Sequence, residues 1–381
     1  MNGYRFRAVR ADEVPLAAEH GHEAFGGDPA TRHEREAVYR RHLAAGELWG
    51  VEDSDGALVG HCRLLTVDHF FGGRAVTCMD VAGVAVPAAL HRRGIGTALM
   101  EGAAAWGAHR GLALSLLYGY VPQLYRPLGW EQAGALPEYR LDPGLQVPAA
   151  EAMRPARPDD WTAIVACHDR FAQTVHGAGR RTGYRWSRLR DAEAFVLPGG
   201  RGLDAVVLIE RDDDSPTADW AAVTGRGVRA VLALLTELAA KDDGLVVHSP
   251  PDAWAPWTQR WDIPAGAGRY WMARPLLLTA GVASRGFPAA VTAEVTLEVA
   301  DPLVAENRGA WRLSIGGGRG RLTPAATADV LLDVRAWGPL FTGFLTPSQL
   351  ARAGLVDGPD GALADLAAAF AGPPPVMLDF F

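Results

Sequence analysis

The sequence predicts a mixed α/β (α+β) protein built as three domains. Three observations lead there. The first ~120 residues read as β-α-α-β-β-β-α-β from their apolar periodicity. The string Arg7-Ala8-Val9-Arg10-Ala11-Asp12-Glu13 returns in altered form as Arg154-Pro155-Ala156-Arg157-Pro158-Asp159-Asp160. Each copy is followed by an apolar-periodic helix, which suggests duplication of one unit. Finally, 381 residues suit two to three domains at about 150 residues each.

Taken in order, residues 4–10 predict a strand. Ala11-Asp12-Glu13 opens a helix, with acids placed well for its first turn. A second helix covers about 29–45. Strands follow at Glu47 to Glu52 and Ala57 to Asp68, joined by the turn Asp53-Ser54-Asp55-Gly56. Phe71-Gly72-Gly73 turns the chain into a strand over about 75–86. Residues 92–108 are helical, and Leu112 to Tyr118 is a strand. The second copy covers about 151–280, with shorter strands and an exposed turn at Asp212-Asp213-Asp214-Ser215-Pro216. After a junction at 275–288 come strands at 289–299, 311–315, 319–322 and 328–334. Helices follow at 336–343, 347–354 and 361–371. Gly372-Pro373-Pro374-Pro375 ends the last one, because proline cannot continue a helix.

Composition narrows the function. Hydrophobic residues make up 49% and charged residues 21%, which is ordinary globular composition. Lys241 is the single lysine among 37 basic residues, and net charge is −7. That balance lacks the basic footprint of nucleic-acid binding. No apolar run is long enough for a membrane span, and the N-terminus lacks a signal core. The expected location is the cytoplasm. Cys62, Cys78 and Cys167 show no CxxC spacing, and eleven histidines show no HExxH spacing. No metal is expected.

The most informative segment runs from Val84 to Met100. A strand enters a basic loop with Gly94 and Gly96, and a helix leaves it. Unpaired N–H groups at a helix N-terminus favour anions. Glycine lets backbone approach a pyrophosphate, and Arg92 and Arg93 add charge-assisted contacts. The competing reading is an ordinary strand–loop–helix connection with a basic patch. Without a lysine the loop is not GxxxxGK[ST], and its spacing is not GxGxxG.

His91-Arg92-Arg93-Gly94-Ile95-Gly96 resembles the acetyl-CoA motif [Q/R]xxGx[G/A] of GNAT acetyltransferases, with His in the first place. The element order before it is also similar to the GNAT fold. The resemblance implies acetyl-CoA as co-substrate, its pyrophosphate at 91–97 including Thr97, and its pantetheine arm along Val84 and Val86. Tyr125-Arg126-Pro127-Leu128-Gly129-Trp130 resembles the family's Y-x-x-x-G-[FYW] string. That implies Tyr125 as the general acid on the CoA thiolate. Tyr118 and Tyr120 are nearby competitors.

The whole chain resembles the Eis-like (enhanced intracellular survival) acetyltransferases. The resemblance implies a catalytic GNAT domain at 1–147, a degenerate second GNAT domain at 148–282 and a sterol-carrier-protein-like domain at 283–381. The apolar end Val376-Met377-Leu378-Asp379-Phe380-Phe381 supports it. Such chains bring a C-terminal aromatic carboxylate into the active site, here Phe381, as base. Phe380 stands where relatives often carry Glu, which removes one acidic substrate contact. The implied acceptor is the amine of a small molecule: an aminoglycoside, a polyamine or a lysine-like amine. A homo-oligomer, possibly a hexamer, is implied by the same resemblance. A competing reading is a CoA- or lipid-binding regulatory protein with little turnover.

Other candidates have simpler explanations. The second copy's stretch Val223-Thr224-Gly225-Arg226-Gly227 lacks the phosphate-loop pattern. Asp68, Asp80 and Glu101 flank the first site but suit solvated or capping roles. Trp254, Trp257 and Trp261 fit core packing better than a ligand box.

Overall fold

The computed structural model describes residues 3–26, 31–141, 147, 150–181, 183–211, 216–242, 244–250, 253, 256 and 268–380. The turn residues 212–215, Trp254, Trp257, Trp261 and Phe381 lie outside the described residues.

The first unit begins with β1 (Arg5–Ala8), α1 (Val14–Phe25), α2 (Arg32–Ala44) and β2 (Leu48–Glu52). The long hairpin β3 (Leu58–Phe71) and β4 (Arg74–Ala85) follows. Next come α3 (Ile95–His109), β5 (Leu114–Leu117), the short α4 (Pro122–Tyr125), β6 (Glu131–Leu136) and β7 (Glu138–Leu141). The second unit holds β8 (Arg154–Pro155), α5 (Trp161–Ala172), α6 (Gly183–Arg188), β9 (Glu193–Gly199) and β10 (Gly202–Arg211). It continues with β11 (Pro216–Ala222), α7 (Gly225–Lys241), β12 (Leu245–His248) and β13 (Arg269–Pro275).

The two units share one topology. In each, the first four strands pair antiparallel in sequence and the fourth pairs parallel with the fifth. The sequence repeat has a physical counterpart. Arg7 pairs with Glu13 at 2.7 Å, and Arg154 pairs with Asp160 at 2.7 Å. The same acids accept the backbone N–H of Arg10 at 2.8 Å and of Arg157 at 2.7 Å. Each pair fixes the turn from first strand into first helix.

Two strands are exchanged between the sheets. The first sheet runs β1-β2-β3-β4-β5-β13-β6, and the second runs β7-β12-β11-β10-β9-β8. Strand β13, after the second unit in the chain, fills the gap between β5 and β6 of the first. Strand β7 leaves the first unit to pair with β12. Periodicity marks a strand but does not name its partner, so the sequence reading leaves each of these strands with its own half.

The third unit holds α8 (Leu278–Ser284), β14 (Ala293–Ala300), β15 (Gly309–Gly316), β16 (Arg319–Pro324) and β17 (Val330–Asp333). It closes with α9 (Val334–Thr342), α10 (Pro347–Arg352), β18 (Val356–Asp357) and α11 (Asp360–Ala369). Its sheet order is β16-β15-β14-β17-β18. Local chemistry sets the helix ends. Asp333 caps α9 by accepting from Arg335 N–H at 2.9 Å, and Gly343 ends it with φ 77°. Trp337, Phe341 and Phe370 are buried in this unit's core.

The tip of the β3–β4 hairpin joins all three units. Gly72 donates its N–H to His176 Nε2 at 3.0 Å, and Gly286 donates to Phe71 O at 3.0 Å. Gly72 has φ 59°, and a Cβ there would overlap the Gly286 backbone. Only glycine satisfies both demands. A second link is the fully buried ion pair of Arg274, on β13, with Asp301 at 2.5 Å.

Candidate active site

Strand β4 creates the site by leaving its neighbour. Its pairing with β5 runs only from Cys78↔Leu114 to Asp80↔Leu116. On its other side, the register against β3 shifts between His61 and Arg63, where Ala82 to Ala85 carries one extra residue. Gly83, in that bulge, has φ 58°. Bulges bend strands and re-aim their backbone. Beyond Asp80, the β4 edge facing β5 therefore has no ladder partner. A cavity of about 1420 Å³ opens there, lined by Val84 and Val86 on one side and by Leu117 and Tyr118 on another.

Loop 91–97 closes one part of this cavity. Helix α3 starts at Ile95, later than the sequence predicts, because Gly94 takes φ 80° as its N-cap. Ala98 N–H makes the first helical bond, to Gly94 O at 3.0 Å. The N–H groups of Ile95, Gly96 and Thr97 are left without intrahelical acceptors. Arg92 has φ 61°, alone among the described non-glycine residues, and such strain clusters at ligand-binding loops. His91 Nε2 donates to Val86 O at 2.9 Å, so the unusual first residue of the motif ties the loop to the strand end.

The predicted residues gather unevenly. Val84, Val86, His91, Arg92, Gly94, Ile95, Gly96, Thr97 and Tyr125 all line the cavity. The Ile95 side chain is buried in the core, so its backbone is what it offers. Arg93 is exposed and not among the lining residues. Among the described residues neither Arg92 nor Arg93 pairs with a carboxylate. Free N–H groups, uncommitted guanidinium groups and an unpaired strand edge fit a pyrophosphate followed by an extended amide chain. In the second unit the equivalent features are consumed. Thr224 Oγ1 accepts from Gly227 N–H at 3.0 Å, and Arg226 pairs with Glu151 and Asp204, each at 2.7 Å.

Tyr125 is 7% exposed, and burial, helped by the Cys62 thiol, pushes its phenol up to about 12. Its hydroxyl makes no hydrogen bond among the described residues, which leaves that proton available to the cavity. The competitors differ. Tyr120 is 74% exposed. Tyr118 donates to Asp379 O at 3.2 Å and to Met377 O at 3.3 Å, so it holds the tail.

The tail reaches the site between two units. Val376 N–H donates to His176 O at 2.7 Å, and Ala135 N–H donates to Pro375 O at 3.2 Å. Val376, Met377 and Leu378 are buried. The Phe380 ring lies 4.7 Å from that of Tyr118, tilted by 40°, beneath the Arg269 guanidinium at 5.0 Å. Asp379 and Phe380 line the same cavity as Tyr125.

Sequence reasoning missed the charged cluster around Asp379. Arg181, 1% exposed, donates to Asp379 at 3.0 Å and also pairs with Asp219. Arg185 reaches Asp379 at 3.0 Å. Burial opposes the charge on Asp379, but the two guanidinium groups hold its carboxyl below the usual range. Nearby, His69 Nδ1 donates to Gly177 O at 2.9 Å and its Nε2 meets Asp80 at 2.9 Å. Burial works against charge on His69, yet the Asp80 carboxylate raises its pKa. Burial also raises Asp80. Of the flanking acids, Asp68 pairs with Arg180 at 2.7 Å and Glu101 does not line the cavity. The only sequence hint of the cluster was the isolated Asp379 in an apolar tail.

Residues 5–133 match the acetyltransferase (GNAT) domain family, and residues 278–378 match the sterol carrier protein domain family. The chain therefore carries a GNAT acetyltransferase domain at its start and a sterol carrier protein domain at its end. An uncharacterized N-acetyltransferase of Streptomyces coelicolor is 28% identical, over 91% of this chain and 92% of that protein. A GCN5-related N-acetyltransferase from Kribbella flavida has TM-score 0.86 at 25% identity, covering 99% of this chain and 98% of that one. The fold is also that of Eis1 from Mycobacterium abscessus, with TM-score 0.79 at 24% identity over 99% and 100% of the chains. A GCN5-related N-acetyltransferase from Anabaena variabilis superposes with TM-score 0.91 at 21% identity, over 99% and 100%. Among the described residues no helix is long and apolar enough to cross a membrane. No group of three or more His, Cys, Asp or Glu among them is arranged to hold a metal.

Proposed function

We propose that this GNAT acetyltransferase moves the acetyl group of acetyl-CoA to the amine of a small molecule. The carrying observation is that loop 91–97, Tyr125 and the tail at Asp379–Phe380 line one cavity. Acetyl-CoA, when bound, supplies an activated thioester. The α3 N-terminus with Arg92 holds its pyrophosphate, Arg93 standing outside the cavity, and the free β4 edge at Val84 and Val86 takes its amide arm. The Val86 N–H polarises the thioester oxygen. As the amine nitrogen bonds to the acyl carbon and the C–S bond breaks, Tyr125 gives its proton to the departing sulfur. The Phe381 α-carboxylate takes the proton lost by the amine.

In this reading the three ranges 1–147, 148–282 and 283–381 divide the work. The first does the chemistry, the second grips the tail, and the third delivers it. We place the protein in the cytoplasm as a homo-oligomer; three free buried cysteines are in keeping with a reducing compartment. Thiol release on mixing acetyl-CoA with an amine panel tests the reading. Tight CoA binding with no release from any amine would favour a regulatory CoA-binding protein instead.

A further inference from the structure

The charges of the cavity select the acceptor. Among the described residues three carboxylates line it, and two are already committed. Asp80 is bonded to His69 at 2.9 Å, and Asp379 is gripped by Arg181 and Arg185 at 3.0 Å. Glu34, exposed on α2, is the third. Against it stand three lining arginines that pair with no carboxylate among the described residues. Arg63 donates to His42 Nε2 at 3.2 Å, and its Nε is buried without a partner. Among the described residues Arg35 donates to the neutral carbonyls of Gly21 at 2.9 Å and Gly26 at 3.0 Å. Arg188 is exposed and makes no ion pair or hydrogen bond among the described residues. These groups are additional to Arg92 on the phosphate loop.

A polycation entering this space would shed hydration facing Arg35, Arg63 and Arg188, with only exposed Glu34 and the proposed base at Phe381 to balance several charges, and burial of unpaired charge is costly. Like-charge juxtaposition rejects such partners. A carboxylate would instead find uncommitted guanidinium donors, the planar fork that suits it best. Phe25, Tyr120 and Phe380 line the same cavity and stay exposed, offering apolar surface for the rest of the molecule.

We propose that the acceptor is a monoamine that also carries a carboxylate on an apolar body, an amino-acid-like molecule rather than a polycation. This rests on the acetyl-transfer reading above. Thiol release is measured for two matched pairs, phenylalanine against phenylalaninamide and 4-aminobenzoate against 4-aminobenzamide, beside spermidine and kanamycin. The expected result is a kcat/KM for the acids at least about tenfold above the amides, the size of a charge-assisted contact. In Arg188→Glu, a change at an exposed position, that ratio falls to one or inverts. Amides used as well as acids, or spermidine or kanamycin preferred to both, would overturn the acceptor class while leaving acetyl transfer standing. No release from any amine would instead remove the transfer reading and this inference with it.

Discussion

Arg181 and Asp379 are 198 residues apart in the chain, and the guanidinium Nε donates to both carboxylate oxygens, at 3.0 and 3.1 Å. One residue belongs to the second unit and the other to the tail, so this pair clamps the tail at Asp379 beside the first unit's cavity. Breaking a buried pair from one side costs about 3–5 kcal/mol. Asp379→Asn is expected to loosen the tail and lower kcat by about tenfold or more, because displacing a catalytic group by even 1 Å is costly. Affinity for acetyl-CoA should stay unchanged, since loop 91–97 is untouched. Equal loss of acetyl-CoA binding would argue for general unfolding instead.

The same clamp has a defined pH range. The Asp379 carboxyl is depressed in the fold. Its contribution is therefore complete above the unfolded value of about 3.9 and is lost as pH falls through the lower folded value. The tail should stay docked through the neutral and mildly acidic range. Carboxypeptidase digestion across a pH series checks this: rapid release of residues near 379 already at pH 6 would contradict it.

Tyr125 is expected to act as the acid with its proton in place. Its phenol is pushed up to about 12, so its ionisation cannot produce an alkaline fall in rate near pH 9. Tyr125→Phe should lower kcat by about a hundredfold or more, the usual scale of general acid catalysis. The fold should hold, because no hydrogen bond among the described residues depends on that hydroxyl. Steady-state kinetics beside a thermal melt separates the two effects, and an unchanged kcat would reject Tyr125 as the acid.

The local features of this protein were legible in its sequence, and the distant partnerships were not. The glycines of the loop, the Gly72-Gly73 turn and the Arg7–Glu13 repeat each depend on neighbours within a few residues. Periodicity and spacing expose such features. The exchange of β7 and β13 depends on which edge a strand meets after more than a hundred residues of intervening chain, and no local signal records it. Arg181 looked like one arginine among many until the fold set it against Asp219 and Asp379. Tyr118 and Tyr125 could be ranked only by motif position; their different hydrogen bonding separates their roles.

The chain end itself offers a direct experiment. Asp379 and Phe380 line the cavity, and the proposed base is the α-carboxylate one residue further on. A few residues fused after Phe381 would convert that carboxylate to a neutral amide and push the new terminus elsewhere. The expected outcome is a large fall in kcat with acetyl-CoA binding retained, measured by thiol release and calorimetry. A fully active fusion would rule out the terminal carboxylate as base. Amino-terminal tags should be harmless by comparison, which makes the pair of fusions its own control.

The junction of the three units should be the least tolerant place in the fold. Arg274 and Asp301 are both fully buried, and Asn307 Nδ2 also donates to Asp301, at 2.8 Å. Asp301→Ala strands a buried guanidinium whose remaining acceptors are the carbonyls of Leu128 and Pro275, each at 2.7 Å. The expected destabilisation is about 3–5 kcal/mol. Because β13 carries Arg274 between β5 and β6, the damage should spread into the first sheet and, on the proposed function, reduce acetyl-CoA binding as well. Gly72→Val attacks the same junction by overlap with Gly286 and by strain at positive φ, without touching any charge. Denaturant melts of both variants should show the loss, whereas Arg312→Ala, which breaks the exposed pair with Glu294 at 2.5 Å, should shift stability by less than about 1 kcal/mol. Equal effects of the buried and exposed changes would mean that the junction is not where the units are held together.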